Sequence, residues 1–189
     1  LGLILIYGTI DLDEIVRYQS GVVLGFLPAW GVVLQPFAAT LFLTAAIAEN
    51  KRIPFDLPEA ESELIAGYFT EYSGMKMGLF MFAEFIEIAI IAALFTTLFL
   101  GGYNLPYMSD AGFVFPGGYQ VEMSHGAVVV IQLVTFLAKV FVMCSFQILI
   151  RWTLPRFRWD QVLRFAWKFM FPLALANLIV TVLFVWALG

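Results

Sequence analysis

The chain has 189 residues, 62% of them hydrophobic and only 13% charged, with a formal net charge of −4 and a mean hydropathy of +0.92. No water-soluble domain of this length has room to hide so much apolar surface, so the composition excludes a soluble enzyme or binding module. A single Cys and a single His leave no cluster for an iron–sulfur, haem or zinc site, and the sequence has no glycine-rich phosphate loop or dinucleotide fingerprint.

In chain order, Leu1 to Tyr7 is apolar but too short to span a bilayer, and it reads as the tail of a helix that begins earlier in a longer chain. No basic stretch precedes it, so a signal peptide is a poor reading. TIDLDEIVRYQ, Thr9 to Gln19, predicts a short surface helix capped by Thr9 or Asp11, with Ile15 and Val16 facing lipid or protein. Four apolar runs follow, Trp30 to Ala48, Met77 to Leu100, Gly126 to Ile150 and Phe169 to Leu188. Each is close to the ~20 residues that a helix needs to cross the hydrocarbon core. They are continuous and do not alternate in period two, so the expected class is all-α and not a barrel. The expectation is one polytopic transmembrane domain over 1–189, with about four complete spanning helices, the end of an earlier one and the short surface helix.

Between the second and third runs, Gly102 to Ser124 is rich in Gly, Pro and Tyr and reads as an ordered loop. His125 opens the third run in an interfacial or capping place. Cys144 lies inside that run and has no partner for an intrachain disulfide. Trp152, Trp159 and Trp167 fit an interfacial belt. Lys51, Arg52 and Lys76 flank the connection after the first run, and Arg151, Arg156, Arg158, Arg164 and Lys168 follow the third. The opposite side carries Arg17 alone. By the positive-inside rule these two basic connections share the cytoplasmic or matrix side.

The connection Ala48 to Lys76, AENKRIPFDLPEAESELIAGYFTEYSGMK, holds six carboxylates and two prolines. Pro54 and Pro58 stop a helix from running straight out of the membrane, and helix restarts near Leu57 or Pro58 with Asp56 as a candidate N-cap. Glu59 is accounted for as a first-turn acid complementing the helix dipole, worth roughly 0.3–1 kcal/mol. Glu61 fits that less well, because it falls on the stripe of Leu64, Ile65, Tyr68 and Tyr72, while Glu59 and Glu63 share another face. A carboxylate on an apolar stripe is either paired with a base or has a raised pKa, and Arg52 is the nearest strong partner in sequence.

Charges inside the runs extend the pattern. Glu84 and Glu87 lie three residues apart on one face of the second run, and Lys139 in the third lies at a similar depth when counted from the same side. A charge near the bilayer centre costs at least ~2.5–3.5 kcal/mol on insertion scales, so such groups face water or each other. Glu87 and Lys139 are therefore expected to approach one another, directly or through water. A structural ion pair or a helix-packing contact would account for these residues. A proton path that includes Lys139 would too, with Glu49, Asp56, Glu59, Glu61, Glu63, Glu71, Glu84 and Glu87 as its line of carboxylates.

The run from Glu49 through PFDLPEAESE and TEYSGMK, followed by AEF and TTLFLGG, closely resembles the quinone-site membrane subunit of respiratory complex I, known as the H subunit in bacteria and ND1 in mitochondria. The later KVFVMCSFQILIRWTLPRFRWDQ is similar to the same family. The resemblance places this chain in about the C-terminal half of the family's protein. It implies that Arg52, Asp56, Glu59, Glu61, Glu63, Glu71 and Tyr72 belong to a loop facing the quinone chamber and the peripheral-arm subunits. It also implies that Glu84 continues a glutamate-lined channel, and that Glu49, Arg52 and Lys139 stand on family-like positions. Asn50 and Lys51 depart from the pattern, where the family more often reads Thr or Ser and then Asn, and Glu87 has no clear counterpart.

By the same resemblance the chain binds no cofactor of its own. Quinone would be the substrate, and flavin mononucleotide and iron–sulfur clusters would sit on partner subunits. Partners would be the peripheral-arm quinone-module subunits, small membrane-arm subunits and the lipid bilayer, with no nucleic acid. The location would be a bacterial or mitochondrial inner membrane. The corresponding subunit of an energy-converting hydrogenase, or of a ferredoxin- or F420-linked complex, shares the acidic loop and is the close alternative. A free-standing transporter is weaker, lacking Gly/Pro-broken helices in matching positions, and a plain anchor has no need of buried carboxylates.

Overall fold

The computed structural model describes residues 2–23, 27–51, 53–55, 71–109, 112–114 and 120–188. Its apolar runs are helical apart from one break at Gln35, as expected in a medium where every backbone polar group must be satisfied within the protein. Helix α1 (Gly2–Tyr7) leads into the surface helix α2 (Leu12–Gln19). Asp11 caps α2, its carboxylate accepting from Asp13 N at 3.0 Å, and Thr9 Oγ1 accepts from Asp11 N. Ile15 and Val16 are buried as the stripe predicts.

A two-residue ladder, β1 (Val22–Val23) with β2 (Leu27–Pro28), precedes the first long run. That run is divided into α3 (Gly31–Leu34) and α4 (Pro36–Glu49). The break is at Gln35, whose φ of −138° and ψ of 70° are non-helical. The cause is Pro36, which has no N–H to donate and pushes the residue before it out of helical geometry. Gln35 is buried, and its Nε2 donates to Thr181 Oγ1 at 2.7 Å across the bundle.

Among the described residues, three helical stretches are long and apolar enough to cross a membrane: α5 (Met75–Phe99), α6 (His125–Thr153) and Trp159–Ala187. The last is composite. It begins as α7 (Trp159–Phe165), passes through a π-helical turn at Ala166–Met170 and continues as α8 (Phe171–Leu188), so it starts ten residues before the expected Phe169. Between α5 and α6 the expected ordered loop carries a small antiparallel sheet, β3 (Met108–Ser109), β4 (Gly112–Val114) and β5 (Gln120–Glu122), in spatial order β3-β4-β5.

Helices α5 and α6 pack side by side and antiparallel. The core gathers Leu3, Tyr7, Ile15, Ala39, Ala92, Phe95, Phe99 and Met143 from α1, α2, α4, α5 and α6. Phe42 and Phe95 each pack on the Phe99 ring, with centroids 5.6 and 5.0 Å away. By contrast α6 and α8 leave most of their apolar surface open, Phe141 being 72% and Trp186 82% exposed. In lipid that exposure carries no hydrophobic penalty.

Candidate functional site

The C-terminal end of α5 turns through Gly101 and Gly102, both with positive φ. A Cβ on Gly101 would sit 2.6 Å from Trp30 Nε1, so only glycine lets the turn approach that indole. The carbonyls left unpaired at the end of α5 are taken up by side chains from elsewhere. Gln19, almost fully buried, makes four hydrogen bonds. Its Nε2 donates to Thr97 O and Leu98 O at 3.1 and 3.2 Å, and its Oε1 accepts from Gly31 N and Gly101 N at 3.1 and 2.9 Å.

Lys139 completes this closure. Its Nζ donates to Leu100 O, Gly102 O and Asn104 O at 2.7, 3.0 and 2.7 Å and lies 4.8 Å from the Trp30 ring centroid. All three donors of the ammonium are used, and the aromatic face supplies further cation stabilisation. The expected approach of Glu87 to Lys139 therefore does not occur. Thirteen residues of α5 separate Glu87 from Leu100, a rise of ~20 Å. A similar depth for the two would require Lys76 and Arg151 to be level, and they are not. Gln147 Nε2 donates to Ile88 O, a register that sets Arg151 about level with Glu84 along the axis, well inside the start of α5. The third helix is thus displaced along the second, and Lys139 moves with it to the Gly101 end.

Glu87 stands at the midpoint of α5, ~18 Å from either end. Its partner is Asn50, the residue that ends α4 and is itself 4% exposed. With the amide oxygen and nitrogen assigned by the bonds they satisfy, Asn50 Nδ2 donates to Glu87 Oε2 at 2.7 Å and Oε1 at 3.2 Å. Glu84 lies three residues earlier, ~4.5 Å along the axis and on the same side. It is partly buried and has an interaction partner of its own. Glu49, one residue before Asn50, is exposed.

The acidic connection leaves from this end of α4. Pro54 O accepts from Phe157 N at 3.1 Å, and Phe55 packs its ring on Phe157 and Phe165, with centroids 5.7 and 6.2 Å away. The two basic connections therefore meet at one end of the bundle. Where the acidic segment rejoins α5, Glu71 is exposed and the Tyr72 ring meets Phe80 edge-on at 4.8 Å. Arg52, Asp56, Glu59, Glu61 and Glu63 lie outside the described residues. Among the described residues, no group of three His, Cys, Asp or Glu side chains could hold a metal ion.

Charge marks buried polar groups in a sequence, but it does not mark the uncharged ones. Asn50, Gln147, Gln19, Gln35 and Thr181 are all buried, and all five bond across the bundle. A lone amide or hydroxyl inside an apolar run is the cue that could have found Gln147 and Thr181, since such groups bond between helices in lipid.

A family model described as NADH dehydrogenase matches residues 1–182. The chain is similar to an NADH-quinone oxidoreductase H subunit of Rhodopseudomonas palustris (strain BisB18), at 44% identity over 185 residues, covering 98% of this chain and 50% of that protein. It is also similar to an H subunit of the same enzyme from Koribacter versatilis (strain Ellin345), at 43% identity with 98% and 48% covered. An H subunit from Cytophaga hutchinsonii is 38% identical, with 96% and 48% covered. The chain spans about half the length of these curated relatives.

Proposed function

Because the chain belongs to the NADH dehydrogenase family, we propose that it forms one membrane domain, residues 1–189, of the quinone-site membrane subunit in a proton-pumping NADH:quinone oxidoreductase. In this reading it helps to wall the quinone chamber and couples quinone reduction to proton translocation through buried carboxylates. The carrying observation is the placement of Glu84 and Glu87 on one side of α5, Glu87 at mid-span, beside the end of α4 from which the acidic connection departs. A carboxylate held at that depth is costly to insert and is retained where it serves ions or protons.

The roles divide by position. Arg52, Asp56, Glu59, Glu61, Glu63, Glu71 and Tyr72 would face the quinone chamber, and Glu49 would stand at the entrance to the line. Charge changes on quinone reduction would be transmitted through Glu61 and Glu63 to Glu84 and Glu87. Lys139 has its three ammonium donors on the carbonyls at the end of α5, so its role is to close that end of the bundle and the proton line runs without it. Flavin mononucleotide and iron–sulfur clusters would belong to peripheral-arm partners, which would dock on the acidic side. That side would be the cytoplasm or matrix, in a bacterial or mitochondrial inner membrane.

Native gels of mildly solubilised source membranes test the assignment. The band containing this chain should carry NADH:quinone reductase activity sensitive to rotenone-type inhibitors. Comigration with hydrogenase activity, or a small band with neither activity, would contradict it.

A further inference from the structure

A mid-span acid relays protons only while its oxygens point along the hydrogen-bonded line, because transfer needs donor and acceptor within direct or single-water reach. Glu87 has the side-chain freedom to lose that aim, and Asn50 removes it. The Asn50 backbone is pinned at the end of α4, its N–H donating to Ala46 O at 3.1 Å. Its amide then reaches both Glu87 oxygens. Gln147 uses its own amide nitrogen on Ile88 O, so it steadies the α5 backbone from α6 while Asn50 steadies the carboxylate from α4. Asn50 also directly precedes Lys51, where φ of 50° ends the helix and the acidic connection begins.

We propose that Asn50 is a positioning residue for the coupled reaction, aiming the Glu87 carboxylate into the proton line between the acidic connection and α5. This rests on the reading of Glu84 and Glu87 as proton-path groups. A side-chain amide gains or loses no proton near neutral pH, so any influence of Asn50 on proton transfer passes through Glu87. The effect of removing Asn50 must then vanish when Glu87 can no longer ionise.

The test is a double-mutant cycle in the assembled complex in native membranes, with Asn50→Leu, Glu87→Gln, the two together, and Glu84→Gln as reference. Complex content on native gels is read beside the pH profile of quinone-reductase turnover. Asn50→Leu is expected to lower turnover several-fold and shift the pH profile, and the double variant to match Glu87→Gln in both. Should Asn50→Leu fail to assemble, Asn50→Ala, which lacks the amide donors and adds no titratable group, takes its place in the cycle. Equal losses from the Asn50 substitution with and without Glu87 would overturn the inference, as would an unshifted profile. Unchanged turnover in Glu87→Gln would overturn it as well. In that case a loss in Glu84→Gln leaves the proposed function standing, and wild-type behaviour in both glutamate variants removes that too.

Discussion

Asp13 and Lys139 show how single side chains hold the Gly101 end together by different means. The Tyr103 hydroxyl and the Arg17 guanidinium donate to Asp13 at 2.7 and 2.9 Å. Together they hold its carboxyl below the usual aspartate range, the Tyr103 hydrogen bond contributing most. A depressed folded-state pKa gives stability that is present above the ordinary value of ~3.9 and is lost as pH falls through the folded value. Asp13→Asn should therefore speed hydrogen exchange in Leu12–Gln19 at neutral pH, and the difference from wild type should fade as pH drops through the lowered pKa. Lys139 works from inside the bundle, where removing a cation strands three carbonyls. Lys139→Met is expected to cost ~2–3 kcal/mol, measured as thermal stability of the solubilised complex. Turnover per assembled complex should stay near wild type, and a selective loss of turnover would return Lys139 to the proton path.

At the scale of elements, the ends and breaks of helices carry most of what distinguishes this fold. The α4 helix stops because Lys51 adopts a left-handed conformation with φ of 50°, which costs an ordinary side chain roughly 1–2 kcal/mol relative to glycine. Lys51→Gly should raise the thermal stability of the complex by up to ~1 kcal/mol, whereas a decrease would mean that the lysine makes a compensating contact. The break before α4 is bridged by the Gln35–Thr181 bond. Thr181→Val should cost ~0.6 kcal/mol, the usual worth of an interhelical hydrogen bond in lipid, read in the same assay.

Much of this level is legible in the sequence. Apolar runs mark the helices, Asp11 marks the start of α2, and Ile15 and Val16 mark its buried face. Pro36 also announces the break at Gln35, but the unbroken hydrophobicity of Trp30 to Ala48 outweighs it when the run is read for length alone. The sheet between α5 and α6 is hidden by strands of only two or three residues, too short for a period-two pattern.

Across the whole molecule, the limit of sequence reading is the register between helices. Depth along one helix follows from a rise of ~1.5 Å per residue, but the offset between two helices is set by contacts such as Gln147 with Ile88 and Lys139 with Leu100. Those contacts moved Lys139 away from Glu87 and left Asn50 as the carboxylate's partner. Charge marks Glu84 and Glu87 in the sequence because charge in an apolar helix is rare, whereas Asn50 becomes visible only when α4 and α5 are brought together. The open faces of α6 and α8 fit a chain that forms part of a larger membrane assembly, and the carboxylates of α5 lie within its membrane-spanning stretch.

The most direct test of coupling through those carboxylates is proton translocation per electron and quinone-reductase turnover in membranes carrying Glu84→Gln. The complex should assemble to wild-type levels while coupled turnover falls several-fold. Wild-type turnover and wild-type proton stoichiometry in a fully assembled Glu84→Gln complex would contradict a proton route along α5.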